Sequence, residues 1–329
     1  MRRREFIRFI GGSALAWPCV VHAQQPNRPR RIGVLMQFAE NDPEARTWIA
    51  AFRDELRKLG WTEGRNLQIE YRWATPDLTL IQRFAGELIA LKPELIVSSS
   101  TPTTKLLLQQ TRTIPIIFTN IVDPVGSGFV ASLPRPGGNV TGFINLEASI
   151  SGKLLQLLKE IAPHVSRVAI YYNPATAPYA EIYLIPFKAA AATLGVEPTV
   201  APVKDIAELE TVIAAHARKP NGGLIAMPDS FNNANRREIT ALAARYRLPA
   251  IYPFRAAQVG GLITYGNNIG DNYRRSAAYV DRILKGEKPS DLPVQFPVKF
   301  ELAINLKTAK ALGLDVPLFL QQRADEVIE

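Results

Sequence analysis

The chain has 329 residues, of which 47% are hydrophobic and 21% are charged, and its formal net charge is +9. This length and apolar content suffice for two domains with their own cores. The basic residues are spread along the chain without a run of five like charges, which argues against a nucleic-acid-binding surface.

The first residues have the features of a bacterial export signal. A basic head is followed by a short apolar run, and Val-His-Ala then fits the small-x-small rule for cleavage after Ala23. The pair Arg3-Arg4 resembles the twin-arginine pattern, which predicts the Tat route. Because the apolar run is shorter than the roughly 20 residues of a spanning helix, we predict a cleaved signal at 1–23 and a periplasmic protein. The alternatives are an uncleaved anchor and a lipid-modified Cys19.

Cleavage changes what the mature chain can contain. It removes Cys19, the only cysteine, so neither a disulfide nor a thiolate metal site can form. It also removes four arginines and one glutamate, which lowers the formal net charge from +9 to +6. The mature fold must therefore depend on core burial.

The first part of the mature chain alternates strand and helix patterns. "RIGVLMQF" predicts a buried strand, and the apolar spacing that follows predicts a helix with Asp42 as its cap. Further strands are predicted at "LQIEYRW", "ELIVSSS" and "IPIIF", and helices at 43–59, 77–91 and 102–110. This alternation predicts a parallel sheet flanked by helices.

The same plan begins again near residue 167 with "RVAIYYNP". Strands are predicted at 196–202, 222–227, 249–252 and 298–305, with a further one in "GGLITYG". Helices are predicted at 178–194, 205–217, 230–246, 271–285 and 307–312. The mature chain is therefore predicted to be an α/β protein with two similar lobes.

Four long stretches resemble one family. They are "LRKLGWTEGRNLQIEYRWA" (56–74), "TIPIIFTNIVDPVGSGFVASLPRPGGNVTGF" (113–143), "GGLITYGNN" (260–268) and "YVDRILKGEKPSDLPVQFPVKFELAINLKTAKALGLDVP" (279–317). In these stretches the chain is similar to the substrate-binding proteins of ABC importers, of the tryptophan/tyrosine type. The resemblance covers nearly the whole mature chain.

The resemblance implies a type I periplasmic binding protein, in which two Rossmann-like lobes with parallel sheets are joined by a hinge. We expect the first lobe at 24–140 plus about 254–300, and the second at 141–253 plus about 301–329. The implied function is to close around a small molecule and deliver it to an inner-membrane permease with a cytoplasmic ATPase. The protein is expected to act as a monomer, without cofactor, metal or catalytic activity. The alternative is a periplasmic sensor that presents its solute to a receptor or histidine kinase.

In open α/β sheets ligands lie beyond the carboxyl ends of the strands, so residues at those ends are the candidates. Ser99, Ser100 and Thr101 follow the third strand and begin a helix, where free backbone N–H groups can hold a carboxylate. The alternative is that Ser100 or Thr101 only caps the helix.

Four further polar residues end predicted strands. Asn120 can hydrogen-bond a ligand, and Asp123 can pair with an ammonium or cap a helix starting near Pro124. In the second lobe, Asn173 can cap or bind, and Asp229 can pair with an ammonium or act as another N-cap. A carboxylate site on one lobe and an acidic residue on the other suit a zwitterion, so an amino acid is the leading ligand.

Aromatic residues also occur at strand ends. Phe38 ends the first strand, Tyr252 follows "LPAI", and Tyr265 and Asn267 lie in "TYGNN". They suit an aromatic or apolar ligand, and the alternative is packing in the core or hinge. We expect the ligand to be an amino acid, with an aromatic one favoured by these residues, or a related carboxylate.

Patterns for other functions are weak or missing. "GSGFVA" at 126–131 matches a dinucleotide fingerprint but does not directly follow a first strand, and Pro124 intervenes. There is no Gly-x-Ser-x-Gly elbow and no Walker loop. His164 and His216 are far apart without clustered carboxylates, so we predict neither a zinc site nor an enzyme.

Overall fold

A computed structural model describes residues 29–329. The predicted signal at 1–23, with its twin-arginine pair and cleavage site, lies outside the described residues. Among the helices of the described part, none is long and apolar enough to cross a membrane.

The first sheet has five parallel strands in the order β2-β1-β3-β4-β5. Its strands are Arg30–Met36 (β1), Leu67–Trp73 (β2), Leu95–Ser98 (β3), Ile116–Ile121 (β4) and Val140–Ile144 (β5). The helices between them are Pro43–Lys58 (α1), Leu78–Ala90 (α2) and Thr101–Gln110 (α3). Strands β1, β3 and β4 are largely apolar and buried because helices cover both faces of the sheet. The edge strand β2 alternates apolar and polar residues.

The second sheet has seven strands in the order β12-β11-β10-β9-β8-β6-β7. Its strands are Arg167–Tyr172 (β6), Glu197–Pro202 (β7), Gly222–Ala226 (β8), Ala250–Tyr252 (β9), Ile263–Asn267 (β10), Phe300–Asn305 (β11) and Glu326–Ile328 (β12). The helices that follow α3 along the chain are Ile150–Ile161 (α4), Ala180–Thr193 (α5), Ile206–Ala217 (α6), Ser230–Ala234 (α7), Arg236–Arg245 (α8), Ile269–Leu284 (α9), Leu306–Ala311 (α10) and Leu318–Arg323 (α11). All pairs are parallel except β10 with β11.

Helix α9 returns to the first lobe although its neighbours in sequence belong to the second. Its Tyr273 ring stacks on Trp48 of α1, with the ring centroids 5.9 Å apart, and its hydroxyl donates to the sulfur of Met36. Gln295 still pairs with Phe143 before the chain enters β11. The chain thus crosses between the lobes three times: after β5, after β10 and before β11.

The lobe boundaries differ from those expected at two places. Residues 141–144 complete β5 in the first sheet, so the first crossing comes after Ile144. Strand β10 is hydrogen-bonded inside the second sheet and the chain leaves that sheet after Asn267, so we propose the second boundary there instead of near residue 254. We propose that the first lobe consists of 29–144 plus about 269–298.

One glycine in each sheet allows a neighbouring backbone segment to pass close to its strand. Gly142 in β5 has φ of 149°, and a Cβ atom there would lie 2.0 Å from the carbonyl oxygen of Phe118. In β10, a Cβ atom on Gly266 would lie 2.1 Å from the carbonyl oxygen of Pro253. No side chain can occupy either position without moving the backbone.

Candidate ligand-binding site

The carboxyl ends of the two sheets face each other across a narrow cavity with an accessible volume of about 20 Å³. The first lobe and the start of α9 contribute Ser100, Thr101, Pro102, Asn120, Asn145 and Ile269. The second lobe contributes, among others, Thr176, Tyr179, Asp229, Ser230, Asn233 and Phe254. A cavity at this position is where ligands bind in doubly wound α/β folds.

In the first lobe, the start of α3 forms part of the wall. Ser100 caps the helix in a capping box: its hydroxyl accepts from the Thr103 N–H, and the Thr103 hydroxyl accepts from the Ser100 N–H. Thr101 is the first helical residue, so its N–H has no acceptor in the helix. Ser100 therefore caps the helix and also lines the cavity. The start of α3 offers a site for an anion.

Ser99 supports this wall from behind. Its hydroxyl accepts a hydrogen bond from the backbone N–H of Gln37 at 2.8 Å, and the residue is buried. The side-chain oxygen of Gln37 in turn accepts from the Ser100 hydroxyl. Ser99 does not line the cavity, and for it ligand contact stays a prediction.

Four buried polar atoms around this cavity have no hydrogen-bond partner among the described residues. They are the side-chain oxygens of Asn120, Asn145, Ser230 and Asn233. Buried polar atoms in native proteins are nearly always paired, because an unpaired one costs about 1–3 kcal/mol. The three asparagine oxygens can only accept, so this wall can accept hydrogen bonds from a polar ligand.

Helix α9 fixes the two asparagines of the first lobe. The side-chain amide of Asn272 donates to the carbonyls of Thr119 and Ile144, both at 3.0 Å. These carbonyls belong to the residues immediately before Asn120 and Asn145. One buried side chain thus sets the spacing of the ends of β4 and β5.

Asp229 is buried in the wall of the second lobe and caps α7. Its carboxylate accepts from the N–H of Phe231 at 3.0 Å, from the N–H of Asn173 at 2.8 Å, and from the Thr176 hydroxyl. Burial raises the pKa of Asp229 to about 6, and these three hydrogen bonds oppose that rise. The N-cap alternative therefore holds, while contact with an ammonium stays a prediction.

Asp123 lines an adjoining cavity with an accessible volume of about 350 Å³, which shares Thr101 and Tyr179 with the first. Its carboxylate accepts from the Gly126 N–H at 2.8 Å. The helix predicted near Pro124 is a turn instead, because Gly128 adopts a left-handed φ of 69° that ends it.

The remaining predicted residues lie outside the wall of the central cavity. Phe38 packs edge-on against Trp48, Tyr252 is buried beside Phe254, and Tyr265 stacks on Phe300. For these three aromatic residues the packing alternative describes what the structure shows. Their contact with a ligand stays a prediction.

Two predicted asparagines also lie outside this wall. The Asn173 side chain accepts from the Ala175 N–H and donates to the Lys204 carbonyl, so it shapes the turn after β6. Asn267 is buried at the end of β10, and neither polar atom of its side chain has a partner among residues 29–329. Ligand contact for both stays a prediction.

Five polar wall residues were missed from the sequence. Asn145 follows β5, a strand with an interior glycine that weakens its pattern. Thr176 and Tyr179 lie in the long turn after β6, and Ser230 and Asn233 in the short helix after β8. The strand-end rule would have selected Asn145 if β5 had been recognised.

Within the described range, no three His, Cys, Asp or Glu residues group as metal ligands do. His216 is buried and lies beside Arg167, 3.3 Å from its guanidinium. Burial, followed by the charge of Arg167, lowers the pKa of His216. This histidine is part of the packing under β6 and β8.

The chain matches the model of a family described as ABC transporter substrate binding protein over residues 32–328. A tyrosine-binding protein of Clostridioides difficile strain R20291 is 26% identical over 300 residues, covering 87% of this chain and 82% of the relative. A conserved domain protein from Vibrio cholerae O1 biovar El Tor is 28% identical with a TM-score of 0.84, covering 91% of this chain and all of that one.

Two further structures show the same fold. The ABC domain from Streptococcus pneumoniae in complex with L-Trp has a TM-score of 0.84 at 24% identity, covering 92% of this chain and all of that one. The ligand-free, open structure of a substrate-binding protein with adhesive properties from Clostridium difficile has a TM-score of 0.67 at 24% identity, covering 91% and 99%. The two-lobed fold and the family match agree, and this chain belongs to the family of ABC transporter substrate-binding proteins.

Proposed function

We propose that this protein is the periplasmic solute-binding component of an ABC importer and that its ligand is an aromatic amino acid. It would act as a monomer without catalytic activity and deliver the ligand to a membrane permease with a cytoplasmic ATPase. Relatives described as tyrosine-binding or solved with L-Trp support the ligand class. The observation that carries the proposal is the set of four unpaired polar atoms around one interlobe cavity.

The wall offers complementary groups for both ends of an amino acid. An ammonium has three donors, which match the oxygens of Asn120, Asn145 and Asn233. The buried carboxylate of Asp229 in the same wall adds negative charge. The α-carboxylate would lie at the start of α3, where the Thr101 N–H and the helix dipole favour an anion.

The ligand side chain would extend toward the adjoining cavity. Tyr179 and Thr101 line both spaces, and Phe129 and Ile182 add apolar surface to the outer one. The Tyr179 hydroxyl donates to the Pro228 carbonyl at 2.9 Å, which fixes the ring between the two spaces. An aromatic ring can stack there with its polar head in the inner cavity.

Calorimetric titration tests the proposal on mature protein that has been unfolded, dialysed and refolded to remove bound solute. We expect heat with L-tyrosine or L-tryptophan, and at least about a tenfold weaker Kd for their N-acetyl and amide derivatives, which lose one charge each. No heat with any amino acid would refute the proposed ligand class.

Two asparagines that flank strand β5 provide the matched variants. Asn145→Ala should raise Kd about tenfold, since the substitution removes one acceptor for the ligand. Asn139→Ala is the control, because Asn139 precedes β5 at its other end and donates only to the Ile114 carbonyl. Equal affinities of the two variants would remove Asn145 from the site.

A further inference from the structure

A buried ion pair joins the two lobes beside the cavity. The guanidinium of Arg236, at the start of α8 in the second lobe, meets the carboxylate of Asp42 before α1 in the first lobe. The two contacts are NH1 to Oδ2 at 2.8 Å and NH2 to Oδ1 at 3.1 Å. The Arg236 side chain is 3% exposed. Paired contacts of this kind are among the stronger and more directional hydrogen bonds in proteins.

The same arginine also holds the wall of the cavity. Its NH1 group donates to the backbone carbonyl of Asn233 at 3.0 Å. The side chain of Asn233 is one of the four unpaired groups that face the cavity, and α7 also carries Ser230. Arg236 therefore connects α1 of the first lobe with the helix that forms the ligand-facing wall of the second.

A second arginine adds a weaker connection. Arg255 lies 3.4 Å from Glu44, and it is also held by Glu301 and Glu326 of its own lobe. Its side chain is 43% exposed, so solvent screens these contacts. Glu44 also lies 3.7 Å from the Nε atom of Arg236, beyond hydrogen-bond distance. The contact between Arg236 and Asp42 is the dominant one.

We propose that Arg236 is a positioning residue for ligand binding, which holds the lobes closed through Asp42 and holds Asn233 against the ligand. Opening the hinge would separate Arg236 from Asp42 and return both charges to water. On this proposal the pair forms only in the closed form and shifts the population toward it, which raises the apparent affinity for any ligand that needs closure. The proposal rests on the proposed function of the cavity as a solute site.

The capping aspartates of the first lobe provide a matched pair of variants. Asp42 accepts from the N–H groups of Glu44 and Ala45, and Asp77 accepts in the same way from those of Thr79 and Leu80 at the start of α2. Asn preserves an N-cap acceptor, so Asp42→Asn removes the charge and keeps the cap. Among the described residues, Asp77 has no arginine contact from the other lobe, so Asp77→Asn is the control.

The experiment measures Kd for L-tyrosine and L-tryptophan by calorimetry and the radius of gyration by X-ray scattering, without and with saturating ligand. Arg236→Gln and Asp42→Asn should each raise Kd about tenfold or more, and Asp77→Asn less than about twofold. Without ligand, the first two variants should have a larger radius of gyration than the unmodified protein, and saturating ligand should remove most of that difference. The double variant should be scarcely weaker than either single one, because both remove the same contact.

Wild-type values of both Kd and radius of gyration in Arg236→Gln and Asp42→Asn would overturn the proposal, as would a changed Kd with an unchanged radius. If Arg236→Gln does not fold, Asp42→Asn decides the question alone. If neither amino acid binds the unmodified protein, the proposed ligand class fails, while the scattering comparison without ligand still tests the closing role.

Discussion

The two lobes present differently capped helix starts to the same cavity. In the first lobe the cap is Ser100, within a network of neutral hydroxyls in which Ser98 contacts Thr103 at 2.7 Å and Thr104 at 2.8 Å. In the second lobe the cap is the buried carboxylate of Asp229. A neutral wall costs little to bury, whereas a charged one needs several donors to offset its desolvation. The pH-sensitive cap of the site therefore lies in the second lobe.

The largest expected loss of stability comes from substitution of Gly142 or Gly266, a feature in which the two lobes are alike. Gly142→Ala and Gly266→Ala should each lower the free energy of unfolding by more than about 3 kcal/mol, because each Cβ atom would overlap a carbonyl oxygen. Gly142→Ala should be the worse, since its φ is also unfavourable. Urea unfolding measures both. Gly138→Ala, with open space around it, should change stability by less than about 0.5 kcal/mol.

The second largest effect should distinguish the cap of the second lobe from that of the first. Asp229→Ala should lower the free energy of unfolding by about 3 kcal/mol, since it leaves three buried donors without an acceptor. Asp205→Ala is the control, because Asp205 is an exposed cap that accepts only from the Glu208 N–H. It should cost about 1 kcal/mol. Equal losses in urea unfolding would show that burial of Asp229 contributes nothing.

Asp229 should also make stability depend on pH. Its folded pKa of about 6 lies above its ordinary value, so the folded protein keeps a proton that the unfolded chain releases. The resulting stabilisation is present at low pH and lost as pH rises through about 6. Relative to Asp229→Asn, the unfolding free energy of the unmodified protein should fall by about 1 kcal/mol between about pH 5 and 7. Parallel profiles from urea titrations at several pH values would contradict this.

The smallest effect should come from the neutral cap. Ser100→Ala should lower the free energy of unfolding by about 1 kcal/mol. The backbone N–H of Thr103 loses its side-chain acceptor, but the Thr103 hydroxyl still accepts from the backbone N–H of residue 100. Thermal unfolding at the same series of pH values measures the loss. It should be constant with pH, and a loss that varies would place a titrating group in the first wall.

Regular structure was largely predictable where strands are apolar or alternating segments and helices begin at a capping residue. The strand at 67–73 agrees with its prediction at both ends, and Asp42 caps α1 as expected. Strand β5 was missed because "VTGFI" is short and contains a glycine. The last helix and strand, α11 and β12, were missed because they are short and only partly buried.

The candidate site was only partly predictable, because position at a strand end does not give side-chain direction. Ser100, Asn120 and Asp229 lie in the cavity wall, whereas Tyr252 ends β9 but is buried in the core. Successive strand residues point to opposite faces, so the direction depends on the register of the sheet. The interlobe contact of Arg236 with Asp42 joins residues 194 positions apart and has no local signal.

The late position of α9 has a consequence for how the chain acquires its structure. The hydroxyl of Tyr273 meets Met36 across 237 residues of sequence, and the indole of Trp61 donates to Asp281 across 220. During synthesis the apolar side of α1 therefore stays uncovered until nearly the whole chain has left the ribosome. Contacts between such distant positions slow folding, because long loops must close before the contacts form. The first lobe thus completes its core only after strands β6 to β10 of the second lobe have been made.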